Sequence, residues 1–313
     1  MEKYINDFIS EKTKILPLLI GGGKILNFTH VDMDGIGSNI VLSKRLKNVV
    51  KIEVNYQDID ERIMRFDFNE YDAVIFTDIC PNLISLNYLK TFHNVIILDH
   101  HDTAIEHHDP KSCVFIYNGI SGTKLTFEFM KVMFGDIRQF AEIEQLVDII
   151  NDYDLWIHAN PKSIYFNWLY YRYKSDGFKS RFISGDIKLL NDEKKFIQTR
   201  SDELRDIFHK LEIFEFDSVN AAMFFTDDFI NDLGDLVLKK YAYDIILIVN
   251  PGSFKVSVRS LNDIEVGTML KSLGLGGGHK NAGGFKSADS SEFNNHCSMI
   301  EQYVYRFYKA TRK

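Results

Sequence analysis

In the first half of the chain, short apolar runs alternate with segments of helical spacing, and each run stops in a polar cluster. Runs over 24–29, 51–56, 72–77, 95–98 and 114–117 read as strands. The clearest is Val95-Ile96-Ile97-Leu98, whose mainly β-branched side chains suit a strand buried on both faces. Segments over 4–19, 39–46, 124–134 and 137–150 carry helical periodicity. The first of them places Ile15, Leu16 and Leu19 among its apolar positions, with Pro17 interrupting it. Strands alternating with helices predict βαβ units and a mainly parallel sheet. Ligands of such sheets bind outside the carboxyl ends of the strands, where these polar clusters fall.

After Trp156 the pattern changes. An aromatic stretch over 164–173 and charged amphipathic helix over 186–214 lead to strands over 219–225, 244–249 and 254–258. A helix over 266–273, a glycine-dense segment over 274–285 and a helix over 290–308 complete the chain. The expected fold class is α/β: a mainly parallel-sheet N-terminal domain over 1–190, a helical linker over 191–215, and a smaller α/β C-terminal domain over 216–313.

Composition narrows the partners more than the fold. With 313 residues, 45% of them hydrophobic, the chain can bury a full core. Its three cysteines, Cys80, Cys113 and Cys297, are odd in number and widely spaced, against a disulfide framework or a cysteine zinc site. Its start lacks the pattern of a signal peptide and no apolar run is long enough to span a bilayer, so it reads as cytoplasmic with no membrane partner. A formal net charge of −7 argues against coating long nucleic acid through a broad basic face. It favours small anionic substrates, whose charge a few local cations can offset.

The polar residues gathered at the proposed strand and helix ends are His30, Asp32, Asp34, Asp78, Asp99, His100, His101 and Asp152. Five aspartates brought together repel one another unless cations neutralise them. Carboxylate and imidazole without thiolate suit Mn²⁺ ahead of magnesium, cobalt, iron or zinc. The ligands outnumber the needs of one ion, and two divalent ions about 3.5–4 Å apart would use them all and fit phosphate ester hydrolysis.

The order His30-x-Asp32-x-Asp34-Gly35-x-x-Ser38, Asp78 after a strand, Asp99-His100-His101, and Asp152 in Ile-Asn-Asp-Tyr-Asp-Leu-Trp resembles the four motifs of the DHH phosphoesterases. Gly276-Gly277-Gly278-His279-x-x-Ala282-Gly283-Gly284 resembles the domain that accompanies them. The resemblance implies that His30 and Asp32 hold one ion, that Asp34, His100 and Asp152 hold the other, and that Asp78 bridges them. It places His101 beside the phosphate or leaving oxygen, with Asp99 orienting the histidines. In the second domain it assigns substrate binding to Arg259, Gly276, Gly277, Gly278 and His279. Length, acidic charge and the form of the fourth motif most resemble the nanoRNase or oligoribonuclease branch. That implies a Mn²⁺-dependent phosphodiesterase or exonuclease turning short single-stranded oligonucleotides or dinucleotides into mononucleotides, with a homodimer as an expected assembly. The alternatives are a phosphodiesterase for cyclic dinucleotides or their linear products and, from a different class, a catalytically silent nucleotide-binding or sensing protein.

Plainer readings stand beside these. In the fourth motif Asp152 and Asp154 are both candidates, since an extended segment points them to one side and a helix does not; Asp152, directly after the helix, is favoured. Cys80 lacks a histidine partner and reads as structural. His107 and His108 read as solvated loop residues. The aromatic stretch could stack bases, but at helical spacing core packing is favoured. Gly21-Gly22-Gly23 lacks the Gly-Lys-Ser/Thr of a phosphate loop and reads as a helix stop.

Overall fold

The computed structural model describes residues 1–10, 19, 21–109, 112–135, 138–261, 264–278 and 280–311. The expected positions Ile15, Leu16 and Pro17, the predicted helix start at Ile137, and His279 lie outside the described residues. The chain divides into two compact units, Met1–Ile197 and Gln198–Lys313.

The first unit runs α1 (Glu2–Ser10), β1 (Ile25–His30), α2 (Met33–Arg45), β2 (Val49–Val54), α3 (Ile59–Arg65), β3 (Ala73–Thr77), α4 (Leu83–Leu89), β4 (Val95–Asp99), β5 (Val114–Ile116), α5 (Gly122–Phe134), α6 (Arg138–Asp154) and α7 (Lys162–Phe182). Its five strands form one sheet in the order β2-β1-β3-β4-β5, every pair parallel. Neighbouring strand residues face opposite ways. Ile25, Ile75 and Ile96 join the apolar layer with Phe8, Val41, Phe129 and Ile143, whereas Leu26, Phe76 and Ile97 join Ile59, Ile63, Leu86 and Leu89 on the other face. Helices on both faces explain why these strands are continuously apolar.

Two polar positions break the apolar pattern of β1, and they tie the sheet to α2. The Asn27 side-chain amide donates to Ile75 O at 3.0 Å and Thr77 Oγ1 at 2.9 Å, while Asn39 Nδ2 donates to Asn27 Oδ1 at 2.8 Å. Thr29 Oγ1 donates to Gly35 O at 2.7 Å. These groups are fully buried and paired, so they fix the registry of β1, β3 and α2 without the cost of an orphaned polar group. The aromatic stretch is core on one side, where Phe166, Trp168, Leu169 and Tyr170 are buried, while Tyr171 is exposed; Tyr170 Oη donates to Val31 O at 2.7 Å, steadying the turn after β1. All three cysteines are free and buried.

The two units divide inside one helix, α8 (Asn191–Lys210). The second unit then contains β6 (Phe214–Glu215), β7 (Ala221–Phe225), α9 (Ile230–Tyr241), β8 (Ile245–Val249), β9 (Lys255–Ser260), α10 (Val266–Ser272), β10 (Gly276–Gly278), β11 (Ala282–Lys286) and α11 (Ser290–Thr311). Its six-stranded sheet, in the order β10-β11-β9-β8-β7-β6, is antiparallel except for β7 with β8. The glycine-dense segment contributes β10 and most of β11. A Cβ at Gly276 would lie 2.2 Å from Gly284 O and one at Gly278 2.3 Å from Ala282 O, so these glycines let β10 close on β11. Among the described residues, no helix is long and apolar enough to cross a membrane.

Helix α2 starts at Met33, six residues before the expected 39, because Asp32 caps it by accepting the Gly35 N–H at 2.9 Å. The helix therefore begins inside the polar cluster. Gly35 is required there, since a Cβ would lie 2.1 Å from His30 O. Gly35→Ala is expected to lower stability by about 1–3 kcal/mol. The measurement is a urea denaturation midpoint, and an unchanged midpoint would show that the turn absorbs the methyl group.

Candidate metal centre

The carboxyl ends of β1, β3 and β4 bring His30, Asp32, Asp34, Asp78, Asp99, His100 and His101 to one crest of the sheet. His30 ends β1, and its Nδ1 lies 2.7 Å from Asp32 Oδ2 and 3.9 Å from Asp78 Oδ2. Asp34, in the first turn of α2, accepts the N–H groups of Gly122 at 2.6 Å and Thr123 at 2.9 Å from the start of α5. Those amides hold the carboxylate in one orientation, and the helix N-terminus favours its charge. Asp78 follows β3 in the left-handed region at φ 59, a conformation costing about 1–2 kcal/mol for a residue other than glycine. Its place is kept by Gly122, where a Cβ would lie 2.6 Å from Asp78 Cβ.

Past β4, His100 Nε2 lies 3.1 Å from Asp78 Oδ1 and 3.6 Å from both Asp34 Oδ2 and Asp154 Oδ2. Asp99 Oδ1 accepts the His100 N–H at 2.9 Å and lies 2.7 Å from His101 Nδ1, fixing both histidines. The result is three overlapping groups: His30 with Asp32 and Asp78; Asp34 with His100 and Asp154; and Asp78 with Asp99, His100 and His101. In each group, ligand atoms lie within 4.8 Å of one another.

Asp152 is not among them. Helix α6 runs on through Asp154, so the two aspartates point about 200° apart. The helix ends with the Trp156 N–H donating to Tyr153 O at 3.0 Å and the Ile157 N–H to Asp152 O at 3.0 Å, with Trp156 left-handed at φ 58. Asp152 caps this turn: Oδ1 accepts the Ala159 N–H at 3.0 Å and Oδ2 the Asn160 N–H at 3.2 Å. The fold thus groups Asp154, and not the expected Asp152, with Asp34 and His100. A glycine at the helix end would have revealed the stop; this sequence uses tryptophan.

His108 Nδ1 accepts the Ile116 N–H at 3.0 Å, outside the three groups. Burial pushes the Cys80 thiol far up, away from nucleophilic use. In the second unit the Arg259 guanidinium donates to Val258 O at 2.8 Å, Gly283 O at 3.4 Å and Asn231 Oδ1 at 2.6 Å. Gly277 faces open space, whereas Gly276 and Gly278 are crowded by their own hairpin.

Protein charges alone leave the crest poorly compensated. Burial, then the nearby Asp34 carboxylate, pushes Asp78 and Asp154 well above the usual carboxylate range. Burial works against a charged His100, and Asp154 and Asp34 override it, raising its pKa. Burial likewise opposes the charge on Asp32, but the His30 ring holds it well below the ordinary value. The Oδ2 atoms of Asp78, Asp99 and Asp154 are buried with no hydrogen-bond partner among the described residues. Oxygens of this kind, packed among imidazoles, are donors that fit divalent cations.

Residues 24–152 match the DHH family, N-terminal domain, and residues 224–306 match the DHHA1 domain. The chain carries a DHH domain followed by a DHHA1 domain. The oligoribonuclease NrnB of Bacillus subtilis is 25% identical over 301 residues, covering 84% of this chain and 72% of the relative. The DHH fold is shared with RecJ of Thermus thermophilus in complex with Mn²⁺, at TM-score 0.61 and 16% identity over 96% of this chain and 55% of that one. The pGpG-specific phosphodiesterase PggH of Vibrio cholerae shares it at TM-score 0.54 and 13% identity, over 90% of this chain and 99% of that one.

A carboxyl whose pKa is raised on folding costs stability as pH climbs from its unfolded value of about 4 towards the folded one. The cation-free DHH crest is therefore expected to lose stability with rising pH across that window, and a divalent cation to restore it. At a hundredfold excess over Kd, one bound cation adds about 2.7 kcal/mol. Asp78→Asn and Asp154→Asn are each expected to stabilise the chelated protein and to lose the Mn²⁺-induced rise in Tm. Asp152→Ala is expected to keep that rise while lowering Tm in chelator. A Mn²⁺ response lost with Asp152 and kept without Asp154 would reverse the assignment.

Proposed function

We propose that this DHH protein hydrolyses phosphodiester bonds of short oligonucleotides, releasing mononucleotides, with two divalent cations held at the crest. The observation that carries the reading is the position of Asp78. Its Oδ1 faces His100 at 3.1 Å and its Oδ2 faces His30 at 3.9 Å, so one carboxylate joins two histidine–carboxylate sets. His30, Asp32 and Asp78 would hold one ion, and Asp34, His100, Asp154 and Asp78 the other. Mn²⁺ is our preferred ion for this oxygen and imidazole set. When bound, the ions supply a water that attacks at neutral pH and offset charge developing on the phosphoryl oxygens.

The chain's own residues orient this chemistry. Asp99 holds His101, and the imidazole is the proposed contact to the phosphate or leaving oxygen. The amides of Gly122 and Thr123 keep Asp34 fixed while substrate enters. Arg259, the Gly276–Gly278 strand and His279 are the proposed grip on the rest of the substrate. The oligoribonuclease relative supports short RNA as the substrate class.

With Mn²⁺, the purified protein is expected to release mononucleotides from RNA of two to five nucleotides faster than from long single-stranded DNA, a cyclic dinucleotide or pyrophosphate. Asp34→Asn is expected to reduce turnover about a thousandfold, ~4 kcal/mol of transition-state stabilisation. Preference for long DNA would overturn the short-substrate reading. Dinucleotide binding without any product would mark a silent nucleotide-binding protein.

A further inference from the structure

Tyr56 belongs to none of the motifs, yet the structure sets its ring against two of them. It follows edge strand β2, whose last residue Val54 pairs with His30. The turn that carries it is closed by the Asn55 N–H donating to Asp58 Oδ1 at 2.6 Å and the Asp58 N–H donating to Asn55 O at 3.2 Å. From there the tyrosine ring centroid lies 5.5 Å from that of His30 and 5.6 Å from that of His101, the latter edge to face. Tyr56 thus bridges the rim between the His30–Asp32 pair and the His101–Asp99 pair. It does so while remaining 42% exposed, although Asp99, which holds His101, is wholly buried.

Exposed aliphatic side chains also stand on the segments that follow β3 and β4. Leu83 and Ile84, which open α4 after β3, are 55% and 74% exposed, and Ile105, past β4, is 50% exposed. An acidic centre suited to cations with an open aromatic face against two of its histidines matches a phosphodiester flanked by nucleobases. Inorganic phosphate and pyrophosphate offer such a face nothing to bind.

We propose that Tyr56 is a stacking platform for the nucleobase adjoining the scissile phosphate, so that the site selects nucleotides over bare phosphate esters. This rests on the phosphodiesterase reading above. A base on an aromatic face contributes about 1–3 kcal/mol, roughly a 5- to 150-fold effect on binding.

The test uses the full chain with Mn²⁺ and dinucleotides carrying 2-aminopurine at one residue or the other, mixed rapidly and read before turnover. Fluorescence is expected to be quenched by stacking at one position in wild type and Tyr56→Phe, and not in Tyr56→Ala. In steady state, the ratio of kcat/KM for the normal dinucleotide to that for one abasic at the quenched position is expected to fall about tenfold in Tyr56→Ala, through KM. Tyr56→Phe keeps the ratio. Quenching that survives in Tyr56→Ala, an unchanged ratio, or a Phe variant as impaired as Ala overturns the proposal. If wild type hydrolyses no oligonucleotide, the phosphodiesterase reading fails; Tyr56-dependent quenching then still supports the platform, and its absence overturns it.

Discussion

Like-charge crowding governs this protein. Asp32, Asp34, Asp78, Asp99 and Asp154 converge at the carboxyl ends of three parallel strands, and Asp34, Asp78 and Asp99 are almost wholly buried. Burial strengthens repulsion between carboxylates and removes the water that would soften it. His30 compensates Asp32 and His101 compensates Asp99, whereas Asp78 and Asp154 face more negative charge than the imidazoles offset. A crest built this way is poor for folding and well suited to holding multivalent cations. Sites of this kind sacrifice stability for function.

The rest of the first unit supplies the rigidity that such crowding demands. Apolar layers on both faces of the sheet anchor each strand whose end bears an acid or histidine. The Asn27–Thr77–Asn39 network pins β1, β3 and α2 in registry, and Tyr170 steadies the turn after His30. Glycines allow close approach where side chains would collide: Gly35 against His30, and Gly122 against Asp78. Asp78 accepts a strained backbone, and the packing around it makes that conformation the available one. The same architecture leaves the rim open, where Tyr56 stands beside two histidines.

Much of this was legible along the chain. Apolar runs that stop in Asp or His predict buried parallel strands with polar carboxyl ends, and the ordered spacing of His30, Asp32, Asp34, Asp78, Asp99, His100 and His101 marks one site. These signals are local, because strand burial and strand termini are written in consecutive residues. Helix starts and stops were less legible. Asp32 caps α2 within the motif itself, and α6 ends on a left-handed tryptophan where a glycine would have signalled the stop.

By itself the sequence determined the α/β class, the parallel sheet and the set of acids and imidazoles available at its crest. Only the tertiary structure decided which of two aspartates, Asp152 or Asp154, faces that crest, because the answer depends on helix phase and on the amides Asp152 caps. Only tertiary structure turned the glycine segment into an edge hairpin, since its purpose is contact with β11. It alone brought Tyr56 to His101, residues 45 positions apart whose neighbourhood is set by the order β2-β1-β3-β4. Side-chain direction and strand order arise from packing between distant segments, and no run of neighbouring residues encodes them.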